Sequence, residues 1–206
     1  MSKRASSSRW YKTQSSDPYV KQRAHAGYRS RAAFKLQELI ARDRLCRAGQ
    51  VVLDLGAAPG GWSQVVRAIV GAAGKVVAVD MLPMEPLAGV EFILGDATTP
   101  EITDAMRASL GGRPVDLVLS DMAPNLSGIK FSDEARALAL AEQALIVAQN
   151  FLRPQGTMLV KLFQHADTEH FVREMKTHFA AIARRKPGAS RATSREFYLV
   201  ASGFQL

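Results

Sequence analysis

From residue 51 onward the chain alternates short, nearly continuous apolar runs with stretches whose apolar residues recur every three or four positions. VVLDL at Val51–Leu55, KVVAVD at Lys75–Asp80, VEFIL at Val90–Leu94 and the segments 115–121 and 157–163 have the length and Val/Leu/Ile content of strands buried on both faces. The second kind of stretch predicts helices over Gly61–Val70 and over residues 99–110, 133–151 and 168–179. An earlier helix is predicted over residues 29–45, where Ala33, Leu36, Leu39 and Ile40 share one face. Strands alternating with helices form a parallel sheet covered on both sides. The last two strands, 180–185 and 197–202, are separated only by residues 186–196, too few for a helical crossover. They form an antiparallel pair at one edge. The expected fold is a doubly wound α/β domain of seven strands, six parallel and one reversed.

The first strand runs into a glycine-rich turn and then a helix, VVLDLGAAPGGW at residues 51–62. Gly56, Gly60 and Gly61 allow a sharp turn and let a ligand approach the backbone with no Cβ in the way. The spacing is not G-x-G-x-x-G, and Asp54 lies just before the turn, so a nucleoside without phosphate fits better than a pyrophosphate. GAAGK at residues 71–75 lacks the following Ser/Thr and precedes a strand, which excludes a phosphate loop. Asp80 ends the second strand, 24 positions after Gly56, where a carboxylate can accept both hydroxyls of a ribose. Asp96 follows the third strand and can accept from an adenine amino group. Asp121 ends the fourth, in SDMAPN at residues 120–125. Singly, such aspartates are ordinary loop or cap residues. Together they line the edge at which parallel sheets bind ligands.

Charge adds a partner class. Residues 1–35 hold nine Lys/Arg against one acid, Asp17, an excess equal to the whole formal charge of +8. A second basic run follows, with Arg184, Arg185, Lys186, Arg191 and Arg195 and no acid between them. Two basic blocks flanking a balanced middle point to a polyanion, and Trp10, Tyr11, Tyr19 and Tyr28 could stack on bases. Arg29, Arg31, Arg191 and Arg195 are the candidate contacts to that polyanion, and residues 1–28 read as a basic polyanion-binding segment ahead of a domain over 29–206. The single Cys46 excludes an internal disulfide, and no apolar run is long enough to span a membrane. The Ser/Arg-rich start lacks the apolar core of a secretory signal, though an organelle transit peptide has a similar composition. His25, His165, His170 and His178 form no ligand-spaced set with Cys46 or one another, so no metal is expected.

The fifth strand, TMLVKLF at residues 157–163, carries a lysine in an apolar run. An unpaired ammonium there would cost several kcal/mol or lose its proton. Either Lys161 sits at a strand end with its head in water, or its proton affinity is used for chemistry. In the doubly wound order Asp121 and Lys161 end neighbouring strands. Glu196 opens the reversed strand, which begins at the same edge, and Lys35 can fold over that edge from the basic helix.

Six segments, SSSRW near the start, YRSRAAFKL, DLGAAPGGWSQ, SDMAPN, VKLFQ and KPGASRATSRE, together resemble the FtsJ-like ribosomal RNA 2′-O-methyltransferases and cover nearly the whole chain in order. The resemblance implies a Rossmann-like S-adenosylmethionine-dependent methyltransferase fold. It places a catalytic set on Lys35, Asp121, Lys161 and Glu196, and cofactor contacts on Gly60, Trp62, Asp80, Asp96 and Asp121. It further implies S-adenosylmethionine as cofactor and a uridine of large-subunit ribosomal RNA, modified in the ribosomal particle, as substrate. Thr193 stands where a further basic residue is expected. A cytoplasmic monomer is expected. Two other classes are weighed. A dehydrogenase lacks its glycine fingerprint and a Tyr-x-x-x-Lys pair; an RNA-binding assembly factor with a vestigial pocket would not need the intact acids.

Overall fold

A computed structural model describes residues 26–125, 127–190 and 194–205. The elements run α1 (Ala32–Asp43), β1 (Val51–Leu55), α2 (Gly61–Val70), β2 (Lys75–Asp80), β3 (Val90–Leu94), α3 (Pro100–Leu110), β4 (Val115–Ser120), α4 (Lys130–Phe151), β5 (Leu152–Phe163), α5 (Thr168–His178), β6 (Phe179–Arg185) and β7 (Glu196–Phe204). The seven strands form one sheet in the order β3-β2-β1-β4-β5-β7-β6. Only β7 is reversed, pairing antiparallel with both β5 and β6. Most of the expected basic segment 1–28, and the expected contact Arg191, lie outside the described residues.

Because successive strand residues point to opposite faces, the sheet separates two apolar layers. Leu53, Leu55, Val118, Met158 and Val160 pack with α3, α4 and α5. Val52, Leu117, Leu119 and Leu159 pack with Leu36 and Leu39 of α1 and Trp62 of α2. Each such large side chain, removed from water, contributes roughly 1.5–3 kcal/mol. The Trp62 indole N–H donates to the Ala32 carbonyl at 2.8 Å and fastens α1 to α2. Thus α1 roofs the half of the sheet that holds Lys161.

Two boundaries differ from the expectation for physical reasons. Strand β5 starts at Leu152, five residues before position 157, although Pro154-Gln155-Gly156 reads as a turn. Gln155 takes φ 64°, and the β4–β5 register shifts between Val115 and Leu117, so an irregularity absorbs the turn residues within the strand. The Arg153 guanidinium, donating to Asp116 Oδ1 at 2.7 Å, secures it. Helix α4 starts at Lys130 rather than 133, because Asp133 accepts from the Ser127 N–H at 2.8 Å and the Gly128 N–H at 3.1 Å and folds the preceding loop onto the helix.

Gly56 opens the turn after β1 with φ +73°, and a Cβ there would lie 2.8 Å from Met122 Cγ and 3.0 Å from the Met122 backbone. Gly111, which ends α3 with φ +59°, has open space around it. Gly111→Ala should therefore cost about 1 kcal/mol from backbone strain alone. Gly56→Ala should cost clearly more, since neighbouring backbone must also move. Urea unfolding of the two variants checks the order, and equal losses would contradict the close approach at Gly56.

Candidate active site

The turn after β1 and the loops after β2 and β4 meet at the carboxyl edge of the sheet. The Gly56 N–H donates to the Val79 carbonyl at 2.9 Å, and the Asp121 N–H donates to the Leu55 carbonyl at 3.2 Å. Gly60, with φ +104°, caps α2, and a Cβ there would meet Met84 Sδ at 2.8 Å. Asp80 accepts from the Ala58 N–H through Oδ2 and from the Leu82 N–H through Oδ1, both at 2.8 Å, and so ties the second turn to the first. Asp96 accepts from the Thr98 N–H and hydroxyl through Oδ1, at 2.9 and 2.8 Å. Trp62 is different, because its side chain is buried between α1 and α2. What it presents to the edge is backbone in the first turn of α2, where N–H groups have no intrahelical partner.

Lys35, Asp121, Lys161 and Glu196 come together from α1, the end of β4, β5 and the start of β7. Lys161 is 9% exposed, and its ammonium donates to the Asp121 carbonyl oxygen and lies 3.0 Å from Asp121 Oδ1. Lys35 pairs with Glu196, whose Oε1 also accepts from the Ser190 hydroxyl at 2.9 Å. Burial pushes the Glu196 carboxyl up, but Lys35, Ser190 and the Lys161 charge together outweigh it and hold it below the usual range. The two ion pairs are joined by a residue not singled out from the sequence. The Tyr198 hydroxyl donates to Asp121 Oδ1 at 3.0 Å and lies 3.5 Å from Lys35 Nζ, whose charge sits 5.8 Å from the ring centre. Burial, then the Asp121 and Glu196 charges, keep this phenol protonated well above its ordinary range. Tyr198 lies directly opposite Lys161 in the β5–β7 ladder. Its position two residues after Glu196 was the available signal, since alternate strand residues share a face. Ser190 was likewise missed, and nothing in the sequence marks it.

Asp54, noted in the sequence only as the acid just before the glycine turn, received no catalytic or cofactor assignment there. It is fully buried in β1; Oδ2 accepts from the Ser63 hydroxyl at 2.6 Å, while Oδ1 has no partner. An unpaired oxygen is far cheaper to bury on a neutral acid than on a carboxylate. Burial raises its pKa most, Ser63 opposes, and the Asp121 and Asp80 charges add to the rise, leaving it at about 7. Its signal was an acid in an otherwise apolar strand, VVLDL.

The candidate RNA contacts divide. The Arg29 guanidinium reaches the glycine turn and is engaged by the carbonyls of Pro59, Glu85 and Pro86, clamping that turn to the β2–β3 loop. Arg31 donates to the Ala189 carbonyl at 2.7 Å. Arg195 bridges Glu134 of α4 at 2.7 Å and the Gln164 carbonyl at 2.8 Å.

Solved structures give the class. Aeropyrum pernix fibrillarin, crystallised with natively bound S-adenosyl-L-methionine, superposes with a TM-score of 0.57 over 84% of this chain and 75% of that one, at 19% identity, a likeness of fold. A crystal structure named as that of a ribosomal RNA methyltransferase from Plasmodium falciparum superposes with a TM-score of 0.77 at 27% identity, over 86% and 98% of the two chains. The fold is that of the Rossmann-like S-adenosylmethionine-dependent methyltransferases. Within that class the chain belongs to the FtsJ-like methyltransferase family, whose profile matches residues 28–204. It is 48% identical over 206 residues, 100% of both chains, to the ribosomal RNA large subunit methyltransferase E of Marinobacter nauticus. It is 52% identical over 204 residues, 99% of this chain and 98% of the other, to that of Alkalilimnicola ehrlichii.

A carboxyl held at about 7 in the folded protein, against an ordinary 3.8, binds its proton more tightly folded than unfolded. The stability Asp54 lends is therefore greatest below its unfolded pKa, declines as pH rises through the window up to the folded value, and is flat above. Relative to Asp54→Asn, the native protein should lose up to about 1.4 kcal/mol per pH unit between pH 5 and 7. Urea unfolding across that range checks the slope, and parallel curves for the two proteins would contradict a neutral Asp54.

Proposed function

We propose that the protein transfers the methyl group of S-adenosylmethionine to the ribose 2′-oxygen of a uridine in large-subunit ribosomal RNA, with Lys161 as general base. One observation carries this reading: the buried Lys161 ammonium rests on Asp121, the residue whose backbone is bonded to β1 where the glycine turn begins. A base and the cofactor edge therefore adjoin.

The residues present fit the cofactor. Gly56 and Gly60 leave no room for a Cβ against Met122 and Met84, so the turn stays bare backbone at the edge a cofactor would approach. Asp54, Asp80 and Asp121 are near enough for the latter two charges to raise the first. An arriving cation relieves that repulsion, as a sulfonium and an ammonium would and an anionic dinucleotide would not. In this reading Asp80 accepts from ribose hydroxyls and Asp96 from an adenine amino group, with Gly56, Gly60 and the backbone at Trp62 beside the methionine portion. When bound, the cofactor supplies an electrophilic methyl group on sulfur.

A neutral Lys161 amine has two N–H groups. Donated to the Asp121 carbonyl and carboxylate, they leave the nitrogen lone pair directed at the incoming hydroxyl. The amine takes the 2′-hydroxyl proton as the oxygen forms its bond to the methyl carbon and the carbon–sulfur bond breaks. Ionised Glu196, fixed by Lys35 and Ser190, accepts from the ribose and positions it, while Tyr198 holds the two ion pairs in register. Much of the rate comes from keeping oxygen and methyl carbon in line. Arg31, Arg191 and Arg195, with the basic segment 1–28, bind the RNA, and Arg29 chiefly shapes the edge. The protein works as a monomer without metal, in the cytoplasm where ribosomal RNA is found.

Labelled methyl transfer to large ribosomal subunits tests this reading. The label should be recovered in an alkali-resistant dinucleotide, as a blocked 2′-hydroxyl requires. Lys161→Ala should lower the transfer rate by roughly 10²–10⁴-fold, the usual worth of a general base, with cofactor affinity retained. Label released by alkali, or transfer undiminished in the variant, would contradict the chemistry or the base respectively.

A further inference from the structure

A groove of about 470 Å³ opens where β6 ends and β7 begins, and Arg184, Arg185, Lys186 and Arg195 line it with Gln164 and Glu196. Four cations thus face one space with a single acid at its wall. Three are held from behind. Arg184 pairs with both oxygens of Glu169 at 2.6 Å, Arg185 with Asp43 at 2.6 Å and Arg195 with Glu134 at 2.7 Å. Those acids stand on α5, α1 and α4 and do not line the groove. The Arg184 guanidinium also lies over the Phe197 ring at 5.4 Å. Lys186 donates to the Ser194 carbonyl at 2.9 Å and has no carboxylate partner among the described residues. Guanidiniums fixed on one edge keep other N–H groups for an anion, and they pre-organise it better than freely moving chains would.

Glu196 connects this groove to the reacting centre, because it lines the groove and is also ion-paired with Lys35. In RNA the phosphodiester covalently nearest a 2′-hydroxyl is the one on the adjacent 3′ carbon; the 5′ phosphate hangs from the far side of the sugar. Resting on the methyl-transfer reading above, we infer that the groove is the subsite for the phosphodiester on the 3′ side of the target ribose. Lys186 and Arg184 are its principal donors. The RNA strand then leaves the site along the β6 edge of the sheet, and the 5′ portion lies toward α1.

Titration of the full-length protein, loaded with S-adenosylmethionine, with uridine 3′-phosphate and separately with uridine 5′-phosphate tests this by backbone amide NMR. The 3′-phosphate should shift the amides of Lys186 and Ser194 to Phe197, and Lys186→Ala should weaken its binding about tenfold, the worth of one charge-assisted hydrogen bond. Lys186→Arg should restore it. With large subunits as substrate, Lys186→Ala should also lower the slope of log KM against log salt by about 0.7, one phosphate contact to a single strand. Equal shifts with both nucleotides, shifts confined elsewhere, no shifts at all, or an unchanged salt slope would each overturn the assignment. An enzyme that transfers no methyl group to ribosomal RNA would instead overturn the reading beneath it, and the titration does not depend on transfer.

Discussion

The contact between Lys161 and Asp121 is the constraint around which the edge is built. A lysine that is 9% exposed can keep its head group there only with a partner, and the sheet order provides one, because β4 and β5 are parallel neighbours paired at Ser120 and Val160. A buried pair of this kind adds little net stability, yet removing either member leaves an uncompensated group that is strongly unfavourable. The surrounding parts serve that pair. The reversed β7 lays Tyr198 opposite Lys161 and Glu196 opposite Phe163, and α1 brings Lys35 down on the same face. The cross-strand geometry of one antiparallel pair therefore carries half of the cluster.

Around this contact the edge separates charge by sign. Toward β1 and β2 lie Asp54, Asp80 and Asp121, the latter two charges close enough to oppose ionisation of the first. Toward β6 lie Arg184, Arg185, Lys186 and Arg195. One side suits a cation and the other a polyanion, and Lys161 stands between them. On the proposed function, a cationic methyl donor and an anionic acceptor would approach Lys161 from opposite sides, which is the arrangement an in-line transfer needs.

Much of this was legible because the signals were local. Continuous apolar runs marked every strand, and the 186–196 loop, too short for a crossover, revealed the reversed β7. That Asp121, Lys161 and Glu196 share one edge was legible because that edge follows from the strand order, whereas Lys35 stands on α1 and its place beside them was implied by the family resemblance. Tyr198 was not, because in FYLVA it looks like any aromatic of a buried strand, and only the ladder shows what its hydroxyl touches. The role of Arg29 as a clamp on Pro59, Glu85 and Pro86 depends on loops folding next to one another, which no periodicity encodes. For the same reason Trp62, placed with the cofactor residues, has its ring against α1. Strand β5 ran longer than its sequence because the shift at Val115/Leu117 and the Arg153–Asp116 contact accommodate residues that elsewhere turn the chain.

The most direct measurement is the pH dependence of the methyl-transfer rate in a single turnover, with enzyme saturated in cofactor and in excess over large ribosomal subunits. If Lys161 accepts the 2′-hydroxyl proton, only its neutral form reacts, and the rate should climb about tenfold per pH unit wherever the lysine is mostly protonated. Lys161→Ala should lose that limb along with most of the rate. A native rate that stays flat with pH while chemistry is limiting, or a variant that keeps the same rising limb, would contradict the lysine as base.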